Sequence, residues 1–226
     1  MATDTVVEGQ DVWKTYGSGE TAISALQGVN VQIRRGEMVA IMGPSGCGKT
    51  TLLNCFSGLD DITKGKVTLE GVDIHSMNDR ERSGYRAKRT GFVFQSYNLL
   101  PILSAVENAE LPLLIAGVHQ KESRARAIKI LTELGLGDRL HHRPSELSGG
   151  QQQRVSLARA LVGQPAIVWA DEPTGNLDEE GSRQVTDLLR QLNREYHQTI
   201  VVVTHDPEVA ARCDRTLRMR DGQFVA

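Results

Sequence analysis

Aromatic residues are scarce in this 226-residue chain: two tryptophans, four tyrosines and four phenylalanines, 4% in all. Long apolar runs are missing altogether. The two longest, Met38 to Met42 and Ala166 to Ala170, reach five residues, whereas a membrane-spanning helix needs about 20. The chain is therefore expected not to cross a bilayer. Its N-terminus carries Asp4 and Glu8 with no apolar segment, unlike a signal peptide. The three cysteines, Cys47, Cys55 and Cys213, are an odd count without zinc spacing, which points to reduced thiols in a cytosol rather than a disulfide framework. An excess of charge of one sign is lacking too: 26 basic and 28 acidic residues leave a net charge of −2, without the footprint of a dedicated nucleic-acid binder. Seven prolines and 39% apolar residues exclude a chain too poor in apolar surface to fold.

Glycine is what the chain has in abundance, 22 residues, so the backbone is often asked for conformations that a Cβ forbids. The length suffices to bury roughly 70% of the unfolded surface in one domain. Periodicity predicts strands at Val6 to Val12, Val29 to Ile33, Glu37 to Met42 and Phe92 to Phe94, and a hairpin over Gly65 to Ile74 turning at Glu70-Gly71. A helix is expected from Lys49 to about Gly58, and helices dominate for about 60 residues from Ser96. Within them, Lys121 to Leu134 sets Ala125, Ile128, Leu131 and Leu134 at three-residue steps on one predicted buried face. Strands and helices then alternate: Ala166 to Ala170, a helix at Glu179 to Tyr196, Thr199 to Thr204, a short helix opened by Asp206-Pro207, and a hairpin around Asp221-Gly222. The pattern is an α/β core interrupted by a helical insertion.

Gly43, Pro44, Ser45, Gly46, Cys47, Gly48, Lys49 and Thr50 match G-x-x-x-x-G-K-[ST] between a buried strand and a helix. Such a loop turns successive backbone N–H groups onto phosphate oxygens at a helix N-terminus, where the helix dipole is positive. Lys49 is placed to reach the β and γ phosphates, the Thr50 hydroxyl to ligate Mg²⁺, and Thr51 is counted with the nucleotide-binding residues. Cys47 reads as a small residue that fits the loop.

Downstream, Ala166 to Ala170 runs into Asp171-Glu172. Such a strand is expected beside the phosphate-loop strand in a parallel sheet, with Asp171 facing Mg²⁺ through water and Glu172 facing the γ phosphate and polarising the attacking water. Leu147-Ser148-Gly149-Gly150-Gln151-Gln152-Gln153-Arg154 lies 99 residues after Lys49, counted at Ser148, and 23 before Asp171. It resembles the signature motif of ATP-binding cassette (ABC) proteins, and its serine and glycines at a helix start read as a second anion site.

The remaining motifs follow this resemblance. Tyr16 is similar to the aromatic that stacks on adenine. Gln95 resembles the glutamine that senses Mg²⁺ and the γ phosphate, Asn176-Leu177-Asp178 the loop that crosses the dimer, with Asp178 counted as a nucleotide contact. His205, 33 residues after Glu172, resembles the histidine that contacts the γ phosphate. The resemblance spans essentially the whole chain. It implies a P-loop NTPase fold: a RecA-like α/β core (about 1–95 and 155–226), an antiparallel β subdomain, and an inserted α-helical subdomain (about 96–154). It also implies an ATPase using ATP and Mg²⁺, with two copies sandwiching ATP head to tail and a separate integral membrane permease as partner. The expected place is cytoplasmic, peripheral on the inner face of the cell membrane.

Phe92 to Pro101, Ala105 to Asn108 and Thr174 to Asp178 are similar to the lipoprotein-release, macrolide-export and cell-division members of the family. Tyr97, where phenylalanine is commoner, and Trp169 in the acidic strand depart from that group. Leu99 to Leu103 is expected to be either core or the contact surface for the permease. Two other readings stand beside this one: an importer ATPase, and a soluble ABC ATPase of DNA maintenance or translation. The basic stretch Arg80, Arg82, Arg86, Lys88 and Arg89 is diluted by Asp79 and Glu81 and reads as a solvated helix face, so no nucleic-acid partner is expected.

Overall fold

The computed structural model describes residues 4–225. In chain order the strands are β1 (Thr5–Tyr16), β2 (Ile23–Arg34), β3 (Met38–Met42), β4 (Lys64–Leu69), β5 (Val72–Asp73), β6 (Thr90–Phe94), β7 (Ile167–Asp171), β8 (Thr199–Val203), β9 (Arg215–Arg220) and β10 (Gln223–Val225). The helices are α1 (Lys49–Ser57), α2 (Asp79–Arg89), α3 (Ala105–Ile115), α4 (Gln120–Glu133), α5 (Gly149–Leu161), α6 (Glu179–Tyr196) and α7 (Pro207–Ala211). One sheet has the order β10-β9-β3-β8-β7-β6, with β9 through β6 parallel and β10 antiparallel at the edge. A second, wholly antiparallel sheet has the order β2-β1-β4-β5.

The continuous apolar runs of β3, β7 and β8 are explained by burial on both faces. Alternate residues feed two cores. Val168, Ala170, Ile200 and Val202 join helices α3 to α6 through Leu113, Leu131, Leu157 and Leu189. Ile167, Trp169, Val201 and Val203 instead meet Leu53 and Phe56 of α1 and Val7, Leu26 and Val67 of the antiparallel sheet. Trp169 is fully buried there, which accounts for a bulky ring in the acidic strand: it fills the space between α1 and the central sheet.

Two expectations need correction. The acidic strand β7 does not adjoin β3, because β8 pairs with both, Ala40 with Val202 and Val202 with Ala170. The skipped position matters for function, since the end of β8 then emerges next to the end of β7. In α4 the buried residues are Ser123, Ala127 and Leu131, while Ala125 and Ile128 face solvent. Four-residue steps track the 3.6-residue turn better here than three-residue steps, which drift off the face.

Helix starts differ in one respect. Helices α2 through α7 each have an N-cap side chain, from Asn78, Ser104, His119, Ser148, Asp178 and Asp206, accepting a backbone N–H. Helix α1, preceded by Gly48, has no side-chain cap, so among the described α-helices its first-turn donors alone are left without a side-chain acceptor.

Candidate functional site

The phosphate loop joins β3 to α1. Gly48 has φ +102°, and a Cβ there would lie 2.4 Å from the Ala25 carbonyl oxygen, so only glycine fits. Lys49 folds back over its own loop, donating from Nζ to the carbonyls of Gly43 and Pro44, both at 2.9 Å. This closes the loop around the side chain instead of releasing it to solvent. Cys47 is buried, its carbonyl accepting from Gly222 N–H of the terminal hairpin; it is a packing residue. Ser45 and Gly46 are exposed at the loop tip.

Across the loop, Thr50 Oγ1 lies 3.2 Å from Asp171 Oδ2. Burial pushes the Asp171 carboxyl above its ordinary value, opposed by the Thr50 hydrogen bond and reinforced by Glu172, so a bound cation would favour the ionised form. Among the described residues no group of three His, Cys, Asp or Glu forms a protein-only metal cage. Two hard oxygen donors beside a phosphate loop suit Mg²⁺ completed by phosphate oxygens.

Glu172 follows at φ +47°, the left-handed region, an uncommon conformation for a non-glycine residue. Its N–H donates to the Val203 carbonyl at 2.9 Å and its own carbonyl accepts from Gly175 N–H at 3.0 Å. Its side chain is thereby turned toward His205, whose Nδ1 lies 2.9 Å from Oε1. The carboxylate raises the imidazole pKa, first through this hydrogen bond and then through its charge. β8 sits between β3 and β7 so that residues 33 apart in sequence become neighbours at the tips of adjacent parallel strands.

Gln95 directly follows β6 and is exposed, making two contacts with Asn176: Asn176 Nδ2 donates to the Gln95 carbonyl at 3.0 Å, and Gln95 Nε2 lies 3.4 Å from Asn176 Oδ1. Sequence reasoning placed both residues in functional loops but not against each other. Gln95 is not within hydrogen-bond distance of Thr50 or Asp171 in this conformation. The signature segment opens α5 with a reciprocal capping box, Gln151 N–H to Ser148 Oγ at 3.3 Å and Ser148 N–H to Gln151 Oε1 at 2.9 Å. Gly150 has open space where a Cβ would stand, whereas a Cβ on Gly149 would come within 2.9 Å of the Tyr97 hydroxyl. Asp178 caps α6, accepting from Gly181 N–H at 2.8 Å.

Three residues that sequence reasoning left without a structural role connect these loops. Arg159 of α5 is held by the carbonyls of Tyr97 and Asn98, Tyr97 Oη reaches the Asn176 carbonyl at 3.4 Å, and Gln153, fully buried, donates to the Pro173 carbonyl. Their partners lie 20 to 79 residues away, beyond any local signal. Tyr16, half exposed at the end of β1, donates from Oη to Asp60 at 2.7 Å.

The family model described as "ABC transporter" matches residues 26–175. The chain belongs to the ABC transporter family. It is 50% identical over 224 residues to an uncharacterised ABC transporter ATP-binding protein of Escherichia coli, YbbA, covering 99% of this chain and 98% of that one. It is 48% identical over 226 residues to the macrolide export ATP-binding/permease protein MacB of Brucella melitensis, of whose length it spans 35%. A dimeric ATP-binding cassette solved in a post-hydrolysis state with ADP and Pi superposes with TM-score 0.88 at 43% identity, over 97% of each chain. The fold is that of an ABC ATPase, and the chain is an ATP-binding, ATP-hydrolysing subunit of that family.

Proposed function

We propose that two copies of this chain close head to tail on two ATP molecules and drive a separate integral membrane permease of the export or mechanotransmission type. The observation carrying the catalytic assignment is the Glu172–His205 pair at 2.9 Å, standing at the strand tips above a loop whose Thr50 faces Asp171. The open donors of α1, with Lys49, grip the triphosphate; Tyr16 stacks on adenine. Thr50 and Asp171, with Gln95 as a third group from the neighbouring loop, would hold Mg²⁺, which would supply charge neutralisation on the phosphates. Glu172 accepts the proton of the attacking water. His205 orients that carboxylate and contacts the γ phosphate. Ser148, Gly149, Gly150 and Gln151 of one copy face the nucleotide of the other, with Asp178 at the crossing loop.

Three observations support the permease partner. Among the described residues no helix is long and apolar enough to cross a membrane, while the relatives above include an ATP-binding/permease protein. In Leu99 to Leu103 the expected alternatives divide: Leu99 and Leu103 are half-buried, whereas Leu100 and Ile102 are exposed, Ile102 by 77%. This exposed pair lies a few residues beyond Gln95, where nucleotide sensing and partner contact would be mechanically adjacent. The chain then resides at the inner face of the membrane without entering it. Purification of the tagged chain from solubilised membranes, with mass spectrometry of what is retained, tests the assignment. One integral membrane subunit is expected, lost in Ile102→Glu with ATP turnover preserved; retention of ribosomal or DNA-bound partners instead would overturn it.

A further inference from the structure

At the outer end of the proposed nucleotide site the Tyr16 ring is not free to turn. Its hydroxyl donates to Asp60 Oδ2 at 2.7 Å. The other oxygen of the same carboxylate accepts from Lys14 Nζ at 2.7 Å, and that ammonium also donates to the Asp61 carbonyl at 2.7 Å. The ammonium then stands over the ring face, 4.7 Å from its centroid. Lys14 is 9% exposed, unusual for a lysine, whereas Tyr16 is 43% exposed. Asp60 is itself anchored, its N–H bonding the Asn54 carbonyl at 3.1 Å at the end of α1 and its Oδ1 accepting from Asp61 N–H at 2.8 Å.

These contacts have a chemical consequence. A cation over one ring face is attracted to its π density, covers that face, and leaves the opposite face for a second ring. A phenol pinned at its hydroxyl has lost its side-chain rotation before any base arrives, so ordering it on binding costs less. Because Asp60 hangs from the end of α1 and the phosphate loop opens the same helix, the ring is indexed to the phosphate grip.

We infer that Lys14 and Asp60 are positioning residues that clamp Tyr16 with a single face presented to a purine base, making the base-dependent part of nucleotide affinity depend on two side chains that touch no phosphate. The inference rests on the reading of Tyr16 as the adenine platform. The experiment compares, in the full chain with Mg²⁺, the affinity for ATP with that for inorganic tripolyphosphate, which has no base. Tyr16→Ala should collapse the preference for ATP. Lys14→Met and Asp60→Asn should each reduce that preference about fivefold, the scale of a lost cation–π contact and of lost pre-ordering, with tripolyphosphate affinity unchanged. A collapse in Tyr16→Ala with full preference kept in both other variants would overturn the clamp and leave the platform standing. An unchanged preference in Tyr16→Ala would overturn the platform and the clamp with it. Equal losses for both ligands would mark Lys14 and Asp60 as fold residues only, which also overturns the inference. Asp60→Asn is isosteric and decides the matter alone if Lys14→Met does not fold.

Discussion

The phosphate loop and the signature segment are both glycine-bearing helix starts, yet their donors are in opposite conditions. At α1 no side chain caps the helix, and the lysine that follows is folded into the loop. At α5 the serine and glutamine of the motif satisfy each other. The first end leaves its first-turn donors open beside the ends of β3, β7 and β8 of the central sheet. The second is a capped helix with its Gly150 flank bare. Two similar strings of residues therefore start their helices differently: one leaves its donors open, the other satisfies them with its own side chains. Asp178 shows the same condition, its carboxylate engaged in capping α6.

Glu172 stands at the phosphate-loop end, and its loss should have the greatest consequence. Glu172→Gln should lower phosphate release by roughly 100-fold or more, the scale of a lost general base, while still binding ATP and accumulating as a dimer in size-exclusion chromatography. Turnover near wild type would remove Glu172 from that role. At the other end, Gly149→Ala would drive a methyl against the Tyr97 hydroxyl, so that either that ring or the start of α5 must shift. ATP turnover should fall about tenfold, ATP affinity of the single copy should hold, and adding Tyr97→Phe, which removes the opposing oxygen, should restore part of the rate.

Ser148→Ala removes a cap rather than a clash. It should cost about 1 kcal/mol in urea unfolding, whereas Gly48, which contributes no side-chain cap, has no equivalent loss to show. The smallest effect concerns protonation. Glu172 raises the His205 pKa above its ordinary 6.5, so their attraction is fully present below that pH and disappears as pH rises through the elevated folded-state value. The imidazole is 75% exposed, and solvent screening keeps the contribution to stability small. An NMR titration should place its midpoint above 6.5 in the wild type and move it down in Glu172→Gln.

Much of this was legible in the residues. The helix Glu179 to Tyr196 and the turns at Glu70-Gly71 and Asp221-Gly222 appear where periodicity and turn chemistry put them, because their signals are local. The buried face of α4 was misread since a 14-residue helix with Ala125 and Ile128 offers two plausible stripes, and only its packing against α3 and α5 chooses Ala127 and Leu131. The neighbour of β3 was misread for a related reason: strands with similar apolar runs carry no mark of lateral order. Tyr97, Asn176, Arg159 and Gln153 went without their joint role because each finds its partner far along the chain.

Short-range chemistry, then, is where the sequence by itself sufficed: the glycines that free the backbone of the phosphate loop, Lys49 and Thr50 within it, the acids at a strand end, and the Asp206 cap that starts the last helix. Tertiary structure alone decided that β8 separates β3 from β7 and so sets His205 against Glu172, that Gln95 rests on Asn176, and that Lys14 and Asp60 hold Tyr16. A backbone conformation depends on the few residues beside it, whereas the meeting of two side chains depends on how both cores close around the central sheet.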